Sequence, residues 1–328
     1  MLHTDVVEGV HRIEDAYTNW YIIEAEDGLT IVDAGVPSSW ESLQNAVAEI
    51  GRTPSDVRAV VLTHAHFDHV GFAEKARKEL GVPVYVHEND VPLTRHPWRY
   101  DFERARSFYF ATQIQALPIV ASFVKTRAFW PPPIKEVRRY GDDGTLPVPG
   151  VPRVVPTPGH TLGHCALHLA ERDVLLAGDA IVMLDPYTAR KGPRLVARAA
   201  TADVERNLRS LDALAATGAT TVLTGHGEPW TGGVEAAVQQ ARAADLRDGV
   251  LERLPRARNA CVDDRQPVVG LDDVPVGVGI LDAVDARDDV GVEHARELPG
   301  PARRDAPTGV RPRTRAVGGL RAVESRPA

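Results

Sequence analysis

Short apolar runs bounded by glycine, proline and polar residues alternate with longer amphipathic segments along the first 254 residues. Runs of this length predict strands, and apolar positions that recur every three or four residues predict helices. The predicted strands cover residues 6–13, 20–25, 29–33, 59–62, 82–86, 164–169, 174–176 and 220–223. The predicted helices cover residues 39–50, with Ser38 or Ser39 as the cap, 72–80, 202–216 and 233–254. This alternation predicts a layered α/β domain that begins with an antiparallel meander.

Residues 90–142 interrupt this alternation with an insertion rich in aromatic residues. Nine of the chain's 19 aromatic residues lie between Trp98 and Trp130, and residues 107–124 have no charged side chain. This composition predicts helices whose apolar surface has to be covered. They could form a lid over the active site, the interface of a homodimer, or part of the domain core. A lid would imply a substrate with a sizeable apolar part.

The uncharged run at residues 107–124 also approaches the length of a membrane-spanning helix. Gln113, Gln115 and Pro118 lie inside this run, and the sequence contains no second run of the same kind. Polar residues and proline at such positions weaken a span. We therefore expect no membrane insertion.

Residues 255–328 differ in composition from the rest of the chain. They contain 12 Arg, 12 acidic residues and no aromatic residue, without a sustained period of 2 or 3.6. Such a segment buries too little apolar surface to offset the ordering of its backbone, which costs about 1–2 kcal/mol per residue. We expect a catalytic domain over residues 1–254 and a poorly ordered tail over residues 255–328, with a small packed appendage as the alternative.

Charge and cysteine content narrow the class of protein. The chain of 328 residues is 25% charged, as soluble globular proteins are, and its net charge of −7 argues against nucleic acid as a partner. Its two cysteines, Cys165 and Cys261, cannot form a disulfide framework and suit a reducing compartment. The N-terminus lacks the features of a signal peptide. These properties predict a cytoplasmic protein that acts on a small molecule.

Three imidazoles and one carboxylate follow a predicted buried strand within seven residues. Residues 63–69 read Thr-His-Ala-His-Phe-Asp-His and supply His64, His66, Asp68 and His69. Neutral imidazole and carboxylate suit zinc, iron or manganese, and a cation offsets the crowding of four such groups. The cluster predicts a metal site at the end of this strand.

Three further candidate ligands lie at the ends of later apolar runs. His160 stands in Pro-Gly-His-Thr, Asp179 ends Leu-Leu-Ala-Gly-Asp, and His226 stands in Thr-Gly-His-Gly. Each lies beside a glycine, where the backbone can approach a shared point. Taken singly, each fits a turn residue. Taken together and in this order, they predict the remaining ligands of the metal site.

These motifs resemble those of the metallo-β-lactamase-fold superfamily, and the resemblance extends over roughly residues 5–245. The matching pieces are THAHFDH, PGHTLGH, LLAGD and TGHG, together with IVDAG at residues 31–35. The resemblance implies an α/β fold in which a four-layer αβ/βα sandwich holds the site at one edge of its sheets. In this chain the sandwich would include the helical, aromatic-rich insertion at residues 90–142.

The resemblance also implies a role for each ligand. One metal ion would be held by His64, His66 and His160. A second ion would be held by Asp68, His69 and His226, and Asp179 would bridge the two. The expected cofactors are two divalent ions, zinc first and iron or manganese as alternatives.

Three residues around the ligands complete the implied site. Asp33 matches a family position whose side chain contacts the metal ligands and orients them. A carboxylate that caps the next segment would explain an aspartate at this position equally well. Thr63 begins the first motif. His164 belongs to PGHTLGH and is expected to support its loop without binding metal. Cys165 would lie on the face of its strand opposite to that of His164, as a core residue.

A site with two metal ions implies hydrolysis. Two cations can lower the pKa of a shared water, giving a metal-activated hydroxide, and can polarise a substrate carbonyl. Asp68 and Asp179 would be the catalytic carboxylates, Asp68 by passing a proton to the leaving group. The expected reaction is hydrolysis of an ester-like bond in a thioester, a lactone or another ester.

The residues after Asp179 leave the subgroup open between a glyoxalase II-like and a lactonase-like branch. The run that starts at Ala180 replaces the Gly-Cys-Gly-Arg element usual in glyoxalase II and persulfide dioxygenase relatives. Val182 stands where lactonases typically have tyrosine, and Tyr187 follows five residues later. Two other functions remain open: a mononuclear iron dioxygenase acting on a sulfur substrate, and a non-catalytic ligand-binding member of the fold.

Overall fold

The fold is described by a computed structural model that covers residues 1–253. Cys261 and the predicted tail at residues 255–328 lie outside the described residues. The strands are β1 (Leu2–Val7), β2 (Val10–Asp15), β3 (Thr18–Ala25), β4 (Gly28–Val32), β5 (Val57–Val61), β6 (Val84–His87), β7 (Arg138–Tyr140), β8 (Arg153–Pro156), β9 (Cys165–Leu169), β10 (Val174–Gly178), β11 (Val182–Leu184), β12 (Lys191–Arg194) and β13 (Thr221–Thr224). The helices are α1 (Ser39–Glu49), α2 (Ala73–Glu79), α3 (Val91–Arg95), α4 (Arg106–Thr112), α5 (Leu117–Lys125), α6 (Val204–Ala215) and α7 (Val234–Arg253).

The strands form two large sheets and one hairpin. In the first sheet β1 to β7 lie in sequence order, antiparallel as far as β4 and parallel from β4 to β7. The second sheet has the order β13-β10-β9-β8, in which β10 and β13 are parallel. Strands β11 and β12 pair as a separate hairpin. Parallel neighbours need a crossover, and α1 and α2 provide it between β4 and β6.

Three apolar clusters show how the layers stack. Trp20 in β3 packs with residues of α1 and α2 on the outer face of the first sheet. The next residue, Tyr21, points to the other face, where it packs with Leu167 of β9 between the two sheets. Leu175 in β10 packs with residues of α6 and α7 on the outer face of the second sheet. The predicted four-layer αβ/βα sandwich is confirmed.

One local prediction is wrong, and another holds only in part. Residues 6–13 form no single strand, because the chain turns at Glu8 and Gly9, and Gly9 adopts a φ of 64°. Helix α1 begins as predicted, but the hydroxyl of Ser38 makes no capping hydrogen bond. The Ser39 hydroxyl accepts a hydrogen bond at 3.3 Å from the N–H of Val36, a residue that precedes the helix. Strand alternation at β9 holds, since Cys165 packs between the sheets and Ala166 against the outer helices.

The insertion folds into helices, as predicted, and packs on the ligand-bearing loop. Phe67, which lies between His66 and Asp68, stacks on Trp98 with ring centroids 4.0 Å apart and meets the edge of Phe123 at 5.6 Å. The same apolar cluster includes residues of the β11–β12 hairpin and of the segment that follows it. The insertion therefore covers the end of the sandwich from which the predicted ligands project.

Among the described residues, no single helix is long and apolar enough to cross a membrane. One pair of consecutive helices, Arg106–Thr112 and Ile114–Lys125, has the length and composition of a membrane span when its two parts are taken together. The pair is bent by 96°.

Candidate metal centre

The predicted ligands project from the ends of strands in both sheets. His64 to His69 follow β5, His160 lies in the loop between β8 and β9, Asp179 follows β10, and His226 follows β13. All seven ligand side chains belong to residues that are at most 5% exposed. The sandwich thus brings together, in one buried cluster, residues that are up to 162 positions apart in the sequence (226 − 64).

Two groups of three ligands lie in this cluster. The first is His64, His66 and His160, whose ring centroids are 4.5–4.8 Å apart. The second is Asp68, His69 and His226. Within each group, one potential ligand atom of every residue lies within 4.8 Å of the others.

Asp179 lies between the two groups. Its Oδ2 atom is 3.5 Å from His160 Nε2 in the first group. The same atom is 3.3 Å from His226 Nε2 and 3.7 Å from His69 Nε2 in the second. One carboxylate oxygen therefore faces both groups, which is the position expected of a bridging ligand.

The donor set fits divalent cations. Buried atoms without a hydrogen-bond partner include Nε2 of His64, His66 and His69, both ring nitrogens of His160, and Oδ1 of Asp179. Leaving such atoms unsatisfied costs about 1–3 kcal/mol each. Converging imidazole nitrogens and carboxylate oxygens are ligands for zinc, iron or manganese. A metal ion in each group would satisfy one ring nitrogen of each of these histidines.

The outer nitrogens of three ligand rings are held by oxygen atoms. His64 Nδ1 lies 3.0 Å from Thr63 Oγ1, His69 Nδ1 lies 3.1 Å from Asp33 Oδ2, and His226 Nδ1 lies 2.7 Å from the Tyr17 carbonyl. Such partners fix the ring orientation and the tautomer. They leave the Nε2 atoms of these rings for the interior of the site.

Asp33 connects the ligand loop to the end of β4. Its carboxylate accepts hydrogen bonds from the Thr63 N–H at 2.8 Å and from Thr63 Oγ1 at 2.9 Å, besides its contact with His69. Asp33, His64 and His69 also satisfy the spacing of a metal group. The oxygens of Asp33 are already engaged, so its geometry suits the orientation of ligands.

His164 fixes the segment just before Asp179. Its Nε2 accepts a hydrogen bond from the Asp179 N–H at 2.9 Å, and its Nδ1 lies 2.7 Å from Thr157 Oγ1. Gly178 makes this approach possible, since it has a φ of 51° and a Cβ there would lie 2.6 Å from His164 Nε2. Both ring nitrogens of His164 are engaged, as expected of a supporting residue.

One buried carboxylate near the site was not predicted from the sequence. Asp90 Oδ2 accepts hydrogen bonds from the Ala65 N–H at 3.0 Å and from Thr161 Oγ1 at 2.8 Å. Its Oδ1 accepts one from the Gly163 N–H at 2.8 Å. Asp90 therefore links the first ligand loop to the loop of His160. Sequence reasoning placed it only at the start of the insertion.

Three side chains of the first sheet hold the loop of His226, and these too were not predicted. Asn19 Nδ2 donates to the carbonyls of Thr224 at 2.9 Å and Gly227 at 2.7 Å. Tyr21 donates to the Thr224 carbonyl at 2.6 Å, and Arg12 donates to the Gly227 carbonyl at 3.0 Å. We call Arg12, Asn19 and Tyr21 the loop clamp.

Burial and neighbouring charges lower the pKa of some ligand histidines and raise that of others. Burial lowers the pKa of His64 and His66, with further lowering by nearby imidazoles, and lowers that of His160 to about 4. These three rings are neutral at pH 7, as a metal ligand must be. Burial also opposes the charged form of His69, but Asp179 and the other adjacent carboxylates outweigh it and raise the pKa to about 10. A cation at the second group would therefore displace a proton.

Two tyrosines lie at the rim of the first group. The Tyr100 ring packs on the His66 ring with centroids 4.0 Å apart. The Tyr187 hydroxyl lies 3.3 Å from that of Tyr100. Tyr187 thus reaches the surroundings of the site through Tyr100, although it follows the typical lactonase position by five residues.

The sequence model described as "Metallo-beta-lactamase superfamily" matches residues 13–226, a range that includes every predicted ligand. The chain belongs to this superfamily, as its motifs predicted.

Relatives support the same class of protein. The chain is 28% identical over 239 residues to the probable metallo-hydrolase YflN of Bacillus subtilis (strain 168), covering 70% of this chain and 87% of that protein. It is 28% identical over 266 residues to the probable metallo-hydrolase YqjP of the same organism, covering 74% and 78% respectively. The crystal structure of the metallo-beta-lactamase family protein TTHA1429 from Thermus thermophilus has 27% identity and a TM-score of 0.54, covering 75% of this chain and 82% of that one. The chain is a member of a metallo-hydrolase superfamily, with a His/Asp cluster as its candidate metal site.

Proposed function

We propose that this protein is a hydrolase of an ester-like bond, in a thioester, a lactone or another ester, and that it depends on two divalent metal ions, zinc first. The observation that carries this proposal is the pair of ligand groups on either side of Asp179, whose Oδ2 lies within 3.7 Å of ring nitrogens from both. A site for one ion would require only one of these groups. The complete second group favours hydrolysis over a mononuclear dioxygenase.

The seven ligands divide between the two ions as the family resemblance implies. His64, His66 and His160 would hold one, Asp68, His69 and His226 the other, and Asp179 both. When bound, two such ions supply a water of near-neutral pKa and polarise the carbonyl under attack.

The chain's own residues contribute orientation, exclusion of water and proton transfer. Oxygen atoms behind the rings of His64, His69 and His226 hold their Nε2 atoms towards the centre. Asp68 Oδ2 lies 3.4 Å from His226 Nε2 and accepts a hydrogen bond from Thr18 Oγ1 at 3.5 Å. In the proposed reaction this carboxylate takes a proton from the attacking water and passes it to the leaving alkoxide or thiolate. The covering insertion keeps bulk water from the reacting carbonyl.

Metal analysis combined with a substrate panel tests the proposal. Purified protein is expected to contain two divalent ions per chain and to hydrolyse at least one class among thioesters, lactones and aryl esters. Asp68→Ala is expected to reduce turnover strongly, whereas Asp142→Ala, which changes an exposed carboxylate, should leave it unchanged. One iron per chain with oxygen consumption would assign a dioxygenase instead. Fully metal-loaded protein that turned over no substrate would indicate a ligand-binding protein.

A further inference from the structure

An open cavity of about 460 Å³ lies beside the loop of His226. Pro118 and Ile119 of α5 form one wall, so the insertion contributes one side of the cavity. The hairpin β11–β12 and the segment that follows His226 form the other side. Binding sites for small molecules typically enclose about 300–1,000 Å³. The cavity therefore has the size of a ligand site.

The lining of this cavity favours an uncharged, apolar ligand. Among the described residues that line it, the charged ones are Glu14, Lys191 and Glu228. The guanidinium of Arg12, which is 1% exposed, lies 3.5 Å from Glu14 and 2.9 Å from Glu228. Together with Lys191 these formal charges cancel. Much of the remaining wall is apolar or aromatic and includes Tyr17, Pro118, Ile119, Met183, Leu184 and Trp230.

The cavity adjoins the second ligand group. The carbonyl of Tyr17, which lines the cavity, lies 2.7 Å from His226 Nδ1. The N–H of Met183, another wall residue, donates to the His226 carbonyl at 2.9 Å. Gly227 follows His226 and also lines the cavity, and the loop clamp holds its carbonyl. A ligand in the cavity would therefore lie beside a substrate group held at the metal centre.

Two wall residues have a backbone conformation that side chains disfavour. Tyr17 has a φ of 65° and Ala189 a φ of 54°. Such left-handed conformations cost free energy at residues other than glycine, and they concentrate at functional sites where the surrounding structure enforces them. At Tyr17 the same conformation accompanies the contact of its carbonyl with His226. The strain is consistent with a wall that is shaped for a ligand.

We propose that this cavity binds the uncharged, apolar acyl group of the substrate. The identity of the ligand rests on the proposed function, because an ester-like substrate brings an acyl group to the metal centre. The acyl group stays attached to the reacting carbonyl carbon throughout cleavage, so a site that holds it also keeps that carbon in position. Pro118 and Ile119 would then make the insertion a determinant of acyl length.

Linear alcohols test binding in the cavity without any turnover, since they carry an apolar chain but neither a charge nor a scissile bond. They are titrated against full-length, metal-loaded protein that holds the uncharged fluorescent probe N-phenyl-1-naphthylamine. We expect alcohols to displace the probe with an affinity that rises roughly fourfold per added CH₂ and levels off once the cavity is full.

One substitution that narrows the cavity locates this binding. Leu184→Trp should weaken decanol binding at least about tenfold, as expected when room for two CH₂ groups is lost. Leu246→Trp is the matched control, because it makes the same change at a position that is 72% exposed and outside the cavity wall. It should leave decanol binding unchanged.

Esters lengthened on one side only identify the half of the substrate that the cavity holds. Leu184→Trp should lower kcat/KM for a decanoyl ester relative to an acetyl ester of the same alcohol. It should leave unchanged the dependence on the length of the alcohol. The reverse result would assign the cavity to the leaving group and overturn the acyl assignment.

Two further results would overturn the proposal. Alcohol binding that did not depend on chain length in the unaltered protein would do so even if no variant folded. Tighter binding of decanoate than of decanol, lost in Lys191→Gln, would assign an anionic ligand to the cavity. Hydrolysis of a short aryl acetate is measured separately: alcohol binding without hydrolysis would refute the proposed function alone, and hydrolysis without alcohol binding would refute the cavity proposal alone.

Discussion

The ligand loops and the insertion meet at Phe67 but are built by opposite means. The loops are positioned by hydrogen bonds from buried polar residues, such as Asp33 to Thr63 and Asp90 to Ala65. The insertion is held mainly by aromatic packing, such as the stacking of Phe67 on Trp98. Hydrogen bonds fix atoms in direction as well as distance, whereas apolar packing tolerates changes that conserve volume. On the proposed function, we expect the ligand loops to fix the chemistry and the insertion to set an adjustable selectivity.

Exposure follows the same division. Every predicted ligand is at most 5% exposed, whereas the insertion presents Ile114 at 71%, Leu117 at 52% and Trp130 at 52% exposure. Substitutions in the loops should therefore affect metal binding and turnover, and substitutions in the insertion should affect the choice of substrate or partner.

Replacing the carboxylate between the two ligand groups should have the largest effect. Asp179→Asn should lower kcat/KM at least about a thousandfold, because several kcal/mol of charge stabilisation are lost. Metal content per chain should fall as well. Asp173→Asn is the matched control, since Asp173 precedes the same strand that Asp179 follows. Unchanged kcat/KM and metal content in Asp179→Asn would refute the bridging role.

Loss of the orienting carboxylate should weaken metal binding without abolishing it. Asp33→Asn should lower metal affinity by about 10–100-fold, as removal of such partners typically does. Competition with a chromogenic chelator measures this affinity. Asp33 has a φ of 61°, which asparagine tolerates, so backbone strain should not contribute. Asp5→Asn, at a residue with a φ of 48° outside the metal groups, should show no change.

Removing the insertion helices should change selectivity more than chemistry. When residues 107–124 are replaced by a short flexible linker, metal content should stay the same and turnover of a short aryl acetate should change by less than about tenfold. The preference for long acyl groups should vanish, because each buried CH₂ contributes about 0.8 kcal/mol. Steady-state kinetics across acyl lengths measures both.

The same variant tests the alternative role of the insertion. A change from dimer to monomer in size-exclusion chromatography, with unchanged dependence on acyl length, would assign residues 107–124 to an interface. Loss of both metal ions would show that the insertion and the ligand loops are not separable.

The smallest effect concerns the connection between α2 and the end of the insertion. Glu74 accepts hydrogen bonds from Arg77 Nε at 2.8 Å and from the Lys135 N–H at 3.1 Å. The hydrogen bonds from Arg77, with that of Lys135, lower the pKa of Glu74 from 4.5 to about 2. A lowered pKa in the folded state stabilises the protein above pH 4.5, and this contribution is lost as the pH falls towards 2.

Urea unfolding at pH 6 and pH 3 measures this contribution. Glu74→Gln should lose less stability between the two pH values than the unaltered protein does. Any loss of metal at pH 3 affects both proteins and cancels in the comparison. Glu79→Gln, in the same helix at an exposed position, should behave like the unaltered protein. Equal losses for Glu74→Gln and the unaltered protein would contradict the role of Glu74.

The parts of the molecule predictable from sequence are those set by local spacing. Residues His64 to His69 lie in one loop, so their type and order already indicated a metal site. Asp90 and Arg12 escaped prediction because each acts on a loop far away in the sequence, and only the fold brings them there. Strands β7 and β12, with sequences Arg-Arg-Tyr and Lys-Gly-Pro-Arg, lack an apolar pattern and form through pairing with their neighbours.

The loop clamp has a consequence for the synthesis of the chain. Arg12 and Asn19 are made among the first residues, yet their acceptor at Gly227 is made more than 200 residues later. At typical rates of about 5–20 residues per second, that interval is roughly 10–45 s. Until then His226 is absent, and the second ligand group has only two of its three members. Complete metal loading is therefore expected only after residue 227 has left the ribosome, so a nascent chain arrested before that point should retain fewer ions than the finished protein.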